Sequence, residues 1–276
     1  MSTVPVCDPQ SLAARIPNGA KLAVPSENSG VAMAVTRELV RLGARNLHLI
    51  CVPVGGLQAD IMIGAGLVDT VETSAITLGE FGTAPRFAAA LARKQVRVLD
   101  ATCPAVYAGL QAAEKGIPFI PLRGLIGTDM LANRSDWKVI DNPFQAEDPI
   151  VLLPAIRPDV AMFHAPLADR DGNVFIGRWR ELLTLAHAAR QTLVTVERIT
   201  ERNLMEDVDL SPGVIPALYV TSIAHAPRGA WPLRFGEHYL MDQEAVGGYV
   251  AAAGTEAGFR GWLREWLAPQ PSQALA

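Results

Sequence analysis

Short apolar runs alternate with helix-like segments along most of this chain, and this alternation constrains the fold more than any other feature. Short apolar runs favour strands, and apolar residues that recur at helical spacing favour helices. Strands that alternate with helices predict βαβ units, and therefore an α/β fold with a mainly parallel sheet and flanking helices. The predicted strands are residues 21–24, 47–52, 68–75, 96–101, 117–122, 150–153, 160–165 and 193–199.

The helices predicted between these strands are marked by end signals as well as by spacing. Asp8 followed by a proline is typical of a helix start. From Gly30 the apolar residues recur at helical spacing as far as Gly43, and glycine commonly ends a helix. Further helices are predicted over residues 87–93, 105–116 and 178–190.

Residues 123–148 interrupt the alternation, because they are polar and rich in turn residues. A loop of this length inside a compact domain is usually functional or runs over the surface. No internal repeat or low-complexity linker divides the rest. Residues 1–268 are therefore predicted to form a single domain with one long loop excursion, and residues 269–276 are expected to fray.

The composition is apolar for a chain without a predicted membrane segment. Half of the 276 residues are hydrophobic, and the mean hydropathy is +0.20. No apolar run approaches the roughly 20 residues that a membrane-spanning helix needs. The apolar excess therefore predicts a sheet buried on both faces or a large subunit interface.

Charge and cysteine usage exclude several classes of protein. The net charge is −4 and there is no basic run, which argues against a nucleic-acid partner. The N-terminus lacks the features of a secretory signal. Three scattered cysteines form no CxxC pair, and no zinc-ligand spacing or GxGxxG pattern occurs. We expect a reduced, cytoplasmic protein that binds no metal.

Polar or glycine-containing segments follow four of the predicted strands. Because ligands bind beyond the carboxyl ends of parallel strands, these segments are expected to lie on one rim of the sheet. The segments are VPSENSG, CVPVGG, TSAITLGE and DATCP.

Several ordered blocks between Ile16 and Trp231 closely resemble the α subunits of family I coenzyme A transferases, of the glutaconate CoA-transferase type. The resemblance implies the CoA-transferase type of α/β fold, a partner β subunit of similar size, and an active site between the two subunits. It also implies a heterodimer or heterotetramer. The blocks are IPNGAKLAV, IGAGLVDTVETSAITLGEFGTAPRF, AAEKGIPFIPLRGLIGTDM, LLPAIRPDVAMFHAPLADRDGNV and HAPRGAWP.

The resemblance further implies chemistry on acyl-CoA thioesters, with coenzyme A as substrate carrier and no metal or redox cofactor. In these transferases a glutamate attacks the thioester carbonyl and forms a mixed anhydride. The released CoA thiolate then forms a glutamyl-CoA thioester, and an acceptor carboxylate takes over the CoA by the reverse steps. Backbone N–H groups of a glycine-rich loop can stabilise the oxyanions.

The letters SEN in VPSENSG resemble the SENG signature that carries this glutamate, but their position differs. That signature belongs to β subunits and follows a complete strand–helix–strand passage, whereas SEN here follows the first strand directly. We therefore expect the nucleophile on the partner chain. Glu27, with Ser26 and Asn28, stays open to two main interpretations: polar residues at the start of the helix near Gly30, or substrate contacts.

Five loops are expected to line one wall of the pocket: residues 25–30, 53–57, 76–83, 101–104 and 123–129. The residues predicted to bind substrate or CoA are Ser26, Glu27, Asn28, Gly55, Gly56, Glu80, Cys103, Arg123, Gly127 and Thr128.

Three of these residues have an alternative interpretation. Glu80 is either a base or substrate contact, or a solvated loop carboxylate. Cys103 is either a thiol activated at a helix N-terminus or a small buried apolar residue. Arg123 either binds a carboxylate or phosphate, or belongs to a structural turn at the subunit interface.

Two other functions stay open. One is a hydrolase of ring-opened CoA thioesters, which shares the fold. That subgroup resembles this chain along GLQAA but places a glutamate near the position of Cys103, which counts against this function. The other is a non-catalytic acyl-CoA-binding or effector-binding protein. In the family blocks, His164 and Asn173 are expected to have structural roles, and Glu197 requires a buried partner.

Overall fold

The computed structural model describes residues 4–268, and the predicted frayed tail lies outside these residues. The strands, in chain order, are β1 (Val6–Cys7), β2 (Lys21–Pro25), β3 (Leu47–Val52), β4 (Val54–Gly55), β5 (Val68–Thr73), β6 (Ala75–Ile76), β7 (Arg97–Asp100), β8 (Phe119–Leu122), β9 (Lys138–Asp141), β10 (Pro149–Pro154), β11 (Val160–Asp169), β12 (Val174–Phe175), β13 (Gln191–Thr200), β14 (Val214–Ile215) and β15 (Ser222–His225).

The helices flank these strands on both faces of the main sheet. They are α1 (Pro9–Ala13), α2 (Met33–Leu42), α3 (Leu57–Gly64), α4 (Pro85–Ala92), α5 (Cys103–Glu114), α6 (Met130–Asn133), α7 (Arg180–Ala188), α8 (Gln243–Ala253) and α9 (Glu256–Leu267). Within residues 4–268, none of the helices combines the length and the apolarity that crossing a bilayer requires.

The main sheet has ten strands, and eight of them are parallel neighbours in the order β1-β15-β13-β11-β2-β3-β5-β7. The short strands β12 and β14 extend it by antiparallel pairing. The predicted α/β class with a mainly parallel sheet is therefore confirmed. Two end signals are also confirmed: Asp8 accepts a hydrogen bond from the Ser11 N–H at 2.6 Å, and Gly43 ends α2 with a φ of 66°.

Both faces of the main sheet are buried, which accounts for the apolar composition. Val24 and Met162 pack on one face, together with α2, α3, α8 and α9. Ala161 and Phe163, the neighbours of Met162 in β11, pack on the other face with α5 and α7. Alternate residues of one strand thus reach two cores, as expected for a parallel sheet covered by helices.

The runs at 117–122 and 150–153 do form strands, but they do not join the main sheet. β8 and β10 form a separate antiparallel sheet with β9, in the order β8-β10-β9. Pro121 in β8 explains part of this difference, because proline has no N–H to donate and is confined to edge strands. Since β9 and α6 lie within residues 123–148, the predicted loop excursion is partly regular structure.

Arg134 fastens this excursion to the edge of the main sheet. Its buried guanidinium donates to Glu72 Oε1 in β5 at 2.8 Å and to the Asp100 carbonyl in β7 at 3.2 Å. The same group also pairs with Asp136 and lies 4.2 Å above the ring of Trp137. Nothing in the local sequence pattern indicated this contact, because its partners in the main sheet lie far away along the chain.

Candidate functional site

The structure brings four of the predicted loops to one rim. Because β2, β3, β5 and β7 are adjacent and parallel, their carboxyl ends meet at the same edge. Direct hydrogen bonds join the loops: Ser26 Oγ donates to the Val52 carbonyl at 2.9 Å, and the Ser74 N–H donates to the Pro53 carbonyl at 3.0 Å. The fourth loop is joined to the third in the same way, because the Ala101 N–H donates to the Thr73 carbonyl.

The loop after β2 lies where the strand order reverses. The chain continues from β2 to β3 on one side, whereas it continues from the neighbouring strand β11 to β13 on the other side, so the connections leave these two strands in opposite directions. In such sheets the crevice at this switch point is the usual place for a ligand. The end of the loop is fastened to β11, since the His164 N–H donates to the Gly30 carbonyl at 2.7 Å.

Glu27 is held at the N-terminus of α3. Its carboxylate accepts a hydrogen bond from the N–H of Leu57, the first residue of that helix. Gly56 makes this approach possible, because a Cβ there would lie 2.0 Å from Glu27 Cδ. Burial raises the pKa of Glu27 above its ordinary value, and the Leu57 N–H opposes that shift.

The interpretation of VPSENSG as the cap of the next helix is wrong. α2 begins at Met33, and its preceding residue Ala32 makes no side-chain cap hydrogen bond. The Ser26 hydroxyl is engaged with Val52, and Asn28 is exposed. The helix to which Glu27 contributes charge is therefore α3, 30 positions further along the chain.

Gly55 and Gly56 are both required by close packing on the rim. Gly55 belongs to the short parallel pair of β4 with β6. A Cβ on Gly55 would lie 2.7 Å from Cys51 Sγ. Burial raises the pKa of the Cys51 thiol to about 12, so this sulfur is a packing atom and not a nucleophile.

Cys103 is exposed on the rim, so its interpretation as a small buried residue is wrong. It is the first residue of α5, and its Sγ lies 3.2 Å from the hydroxyl of Ser74. Thr102 caps the same helix by accepting from the Ala105 N–H. Sequence reasoning did not single out Ser74, although its position near the end of the third predicted strand was a usable signal.

Glu80 lies in a short 3₁₀ turn, Gly79–Phe81, and its side chain is exposed. The predicted segment 68–75 is split before this turn, because β5 ends at Thr73 and β6 begins at Ala75. Exposure of the Glu80 carboxylate to solvent favours the interpretation as a solvated loop residue in the isolated chain.

The predicted residues of the 123–129 loop lie in the excursion. Arg123 donates two hydrogen bonds to the Asp148 carboxylate, at 2.7 and 2.6 Å. The carboxylate that Arg123 binds therefore belongs to the same chain. This pairing holds the pKa of Arg123 above its usual range and lowers that of Asp148 to about 2. Gly127 adopts a φ of 79°, and the Thr128 hydroxyl donates to the Leu125 carbonyl. In the described chain, the side-chain hydrogen bonds of Arg123 and Thr128 do not reach the four joined loops.

A buried network next to the rim supplies the partner that Glu197 requires. The Glu197 carboxylate accepts hydrogen bonds from His164 Nε2 at 2.7 Å, from the Tyr239 hydroxyl at 2.8 Å and from the Arg228 N–H at 2.8 Å. His164 Nδ1 lies 2.8 Å from the Thr195 hydroxyl. The network joins β11 and β13 to the segment that follows β15.

The protonation of this network follows from its surroundings. Burial lowers the pKa of His164, so the ring is neutral and donates from Nε2. Burial alone would raise the pKa of Glu197, but the hydrogen bonds from His164, Arg228 and Tyr239 outweigh it and lower the pKa. A neutral histidine that donates to an ionised glutamate leaves both ring nitrogens paired, which favours a structural role.

Asn173 also has mainly structural contacts. Its amide donates to Asp169 Oδ2 at 2.8 Å, and its Oδ1 accepts from the Ala217 N–H. Asp169 is buried and accepts further from the N–H groups of Gly172 and Leu204. The turn between β11 and β12 is therefore fixed by side-chain hydrogen bonds. Among residues 4–268, no cluster of three or more His, Cys, Asp or Glu side chains is suited to hold a metal ion.

Comparison with known proteins places this geometry in a family. A family model described as Coenzyme A transferase matches residues 8–224. A protein of Archaeoglobus fulgidus is 30% identical over 86% of this chain, and the chain spans only 53% of that relative. One of the subunits of 3-oxoadipate CoA-transferase from Pseudomonas knackmussii is 29% identical, over 85% of this chain and 83% of the relative.

Two solved structures match over nearly the whole chain. Glutaconate coenzyme A-transferase from Acidaminococcus fermentans superposes with a TM-score of 0.88 and 25% identity, over 95% of this chain and 88% of the other. A variant of the decarboxylase AibA/AibB superposes with a TM-score of 0.85 and 27% identity, over 98% and 100%. The resemblance drawn from the sequence blocks is confirmed, as is the prediction of a coenzyme A transferase enzyme at the level of the family. The chain belongs to the coenzyme A transferase family.

Proposed function

We propose that this chain is the α subunit of a heteromeric CoA-transferase that moves CoA from an acyl-CoA to a carboxylic acid, with the nucleophilic glutamate on a partner β subunit. Relatives that are themselves named as single subunits of CoA-transferases support the need for a partner. The observation that carries the proposal is the state of Glu27. Its carboxylate is already bound to the N-terminus of α3 and is wedged against Gly56.

This state of Glu27 does not suit a nucleophile. Attack on a thioester would convert the carboxylate into an anhydride, and the hydrogen bond from the Leu57 N–H would then lose its charged acceptor. Gly56 also packs directly against Glu27, since a methyl group at position 56 would overlap the carboxylate. Glu27 is therefore proposed as a contact that shapes the pocket.

The rim offers groups that suit binding of a thioester. α3 and α5 both begin on it, directly after the loops that follow β3 and β7. The N-terminus of α3 is already paired with Glu27, so the positive end of α5 is the one that favours a developing oxyanion or a carboxylate of the acyl group. The hydroxyl of Ser74 and the thiol of Cys103 lie together on the same rim. In this proposal CoA is the substrate carrier, and this chain orients the acyl group while the partner attacks it.

The acyl substrate is proposed to be a dicarboxylic acid or an oxo derivative of one. Two of the relatives are named for 3-oxoadipate and glutaconate, which are acids of this kind. Such an acid carries a second carboxylate, which the N-terminus of α5 on the rim would favour.

Trapping of the covalent intermediate tests the assignment of the nucleophile. The chain is produced with and without its β-type partner, then incubated with a dicarboxylic acyl-CoA and hydroxylamine. We expect no CoA transfer by the isolated chain, and a hydroxamate on a glutamate of the partner in the complex, located by peptide mass spectrometry. The matched control is the complex with Glu27→Gln, in which the partner should still be modified. A hydroxamate on Glu27, or rapid transfer by the isolated chain, would contradict the proposal.

A second candidate function is decarboxylation of an acyl-CoA, because the AibA/AibB structure matches this chain from end to end. The same incubation separates the alternatives. Transfer requires an acceptor carboxylate, decarboxylation releases CO₂ without one, and hydrolysis releases free CoA without one. Release of CO₂ with no covalent adduct would replace the transferase proposal by a decarboxylase.

A further inference from the structure

A second concave site lies at the opposite end of the main sheet from the four loops. It is a cleft of 360 Å³ beside Val68, the first residue of β5, and Val96, which precedes β7. These residues mark the amino ends of the strands, whereas the rim described above lies at the carboxyl ends. The charged residues that line the cleft come from α4, its C-terminal residue and α9. They are Arg86, Arg93, Glu256 and Arg260.

A single carboxylate serves all three guanidinium groups of the cleft. Glu256 forms a salt bridge with Arg86, lies 3.6 Å from Arg93 Nη1 and accepts from Arg260 Nε at 3.0 Å. Within the lining of the cleft, three positive charges against one negative charge leave an excess of two positive charges. This excess occurs in a chain whose net charge is −4. An additional anion would therefore be attracted to this cleft and not to the surface at large.

Arg86 has a donor left over. Its side chain is only 6% exposed, Nη1 donates to the Ala253 carbonyl at 3.3 Å, and the guanidinium lies 4.9 Å from the Phe259 ring centroid. Gly64 allows this packing, since a Cβ there would lie 2.7 Å from Arg86 Cγ. Within residues 4–268, the buried Nε of Arg86 has no hydrogen-bond acceptor. Buried donors in folded proteins are normally paired, so the partner expected for this Nε is an oxygen of a bound ligand or of a water molecule.

We propose that this cleft binds a small oxyanion that carries phosphate or carboxylate groups. Arginine is suited to both, because its planar guanidinium matches two oxygens of either group. Arg86 would supply the rigid donor, and the exposed Arg93 and Arg260 would close over the ligand from α4 and α9. The amide of Gln95 lies in the same lining. Because the cleft is at the amino ends of the strands, such a ligand would not compete with acyl-CoA at the rim.

Thermal unfolding of the full chain tests this proposal. The melting temperature is followed against pyrophosphate in one arm and citrate in another, with sodium chloride at matched ionic strength as the reference. We expect saturable stabilisation by at least one of the two oxyanions, because a ligand bound to the native state raises its stability by mass action. Saturation by pyrophosphate alone would identify phosphate chemistry, and saturation by citrate alone would identify carboxylate chemistry. A rise that only follows ionic strength would overturn the proposal.

Variants at the exposed arginines localise the effect without disturbing the core. Arg93→Gln and Arg260→Gln should each weaken the apparent affinity about tenfold, since each removes a charge-assisted hydrogen bond. The matched control is Arg264→Gln, which removes the same charge from an exposed position on the same helix, outside the lining. Glu256→Gln should strengthen binding, because it removes the competing carboxylate. Equal losses in Arg260→Gln and Arg264→Gln would show a general charge effect and refute the site.

Discussion

The carboxylate of Glu27 accepts the first backbone N–H of α3, from Leu57, although the two residues are 30 positions apart. The contact joins the loop after β2 to the helix after β3, and so it sets the relative position of two neighbouring loops on the rim. In the sequence, Glu27 resembles the glutamate of a catalytic signature. In the folded chain, it accepts a hydrogen bond from an N–H that would otherwise be unpaired at the N-terminus of α3.

Removing this acceptor should destabilise the chain modestly. Glu27→Ala is expected to lower the free energy of unfolding by about 1 kcal/mol, because α3 loses the acceptor at its N-terminus. Glu27→Gln keeps an acceptor oxygen and should lose less. Urea unfolding followed by circular dichroism measures both, with Asn28→Ala as the exposed neighbour control. If Asn28→Ala costs as much as Glu27→Ala, the contact with Leu57 does not stabilise the chain.

The same residue should give stability a defined pH dependence. Burial raises the pKa of Glu27 above its ordinary 4.5, so the folded state holds this proton at a pH where the unfolded chain has lost it. Its contribution to stability therefore falls as pH rises from 4.5 through the folded pKa. Glu27→Gln cannot titrate there. Its stability relative to the wild type should rise between about pH 4 and about pH 7 in urea unfolding series. The opposite slope would mean that the Leu57 N–H outweighs burial.

Gly56 should tolerate no side chain while Glu27 is present. Gly56→Ala would place a Cβ 2.0 Å from Glu27 Cδ, and we expect a loss of about 1–3 kcal/mol from overpacking. In a Glu27→Ala background the same change should cost much less, since the two side chains are in direct contact. The control is Gly248→Ala within α8, where nothing lies within 4 Å. That variant should be more stable than wild type by up to about 1 kcal/mol. Additive losses at Gly56 and Glu27 would contradict the predicted clash.

Arg134 should contribute far more to stability than Arg123, although both belong to the excursion. The side chain of Arg134 is 3% exposed and pairs with buried Glu72, whereas that of Arg123 is 64% exposed. Arg134→Ala leaves the buried Glu72 carboxylate with only His48, at 3.5 Å, beside it, and is expected to cost about 3 kcal/mol. Arg123→Ala should cost much less, because an exposed pair is screened by solvent. Chemical unfolding compares the two, and similar losses would refute the anchoring role of Arg134.

Tyr239 should be required for the stability of the network around Glu197. Its hydroxyl donates to Glu197 Oε1 at 2.8 Å and accepts from the Ala230 N–H at 3.1 Å. Tyr239→Phe is expected to lower the free energy of unfolding by about 1–3 kcal/mol, because both partners lose a hydrogen bond in a buried place. Tyr219→Phe is the control, since the Tyr219 ring packs against His187 in a tilted arrangement and the residue is 38% exposed. Equal effects of the two changes would argue against a structural network.

Features that depend on near neighbours in the chain were predictable from the sequence. The strand at 47–52 has the predicted bounds, and Gly43 ends α2 as its conformational freedom allows. The shared rim followed from the order of strands and helices. Strand partners were harder to predict, because the runs at 117–122 and 150–153 have strand patterns that do not specify which sheet they join.

Contacts between distant positions could not be predicted from local patterns. Arg134 and Glu72 are 62 positions apart, and Tyr239 and Glu197 are 42 apart. In each pair, a largely buried carboxylate accepts a hydrogen bond from the other residue. The sequence indicates that such a carboxylate needs a partner, but it does not identify the partner. The exposure of Cys103 was unpredictable for the same reason, since it depends on what the neighbouring loops cover. Its contact with Ser74 crosses 29 positions.

The pairing of β2 with β11 at the centre of the main sheet has a consequence for synthesis on the ribosome. Leu22 pairs with Val160 and Ala23 with Ala161, so β2 gains its second neighbour only after more than half of the chain has been made. Until then the nascent chain exposes an apolar strand edge, and closure of so long a segment is slow. The two halves of this protein therefore become a folded unit late in translation, and a truncated N-terminal half would present that edge to other chains.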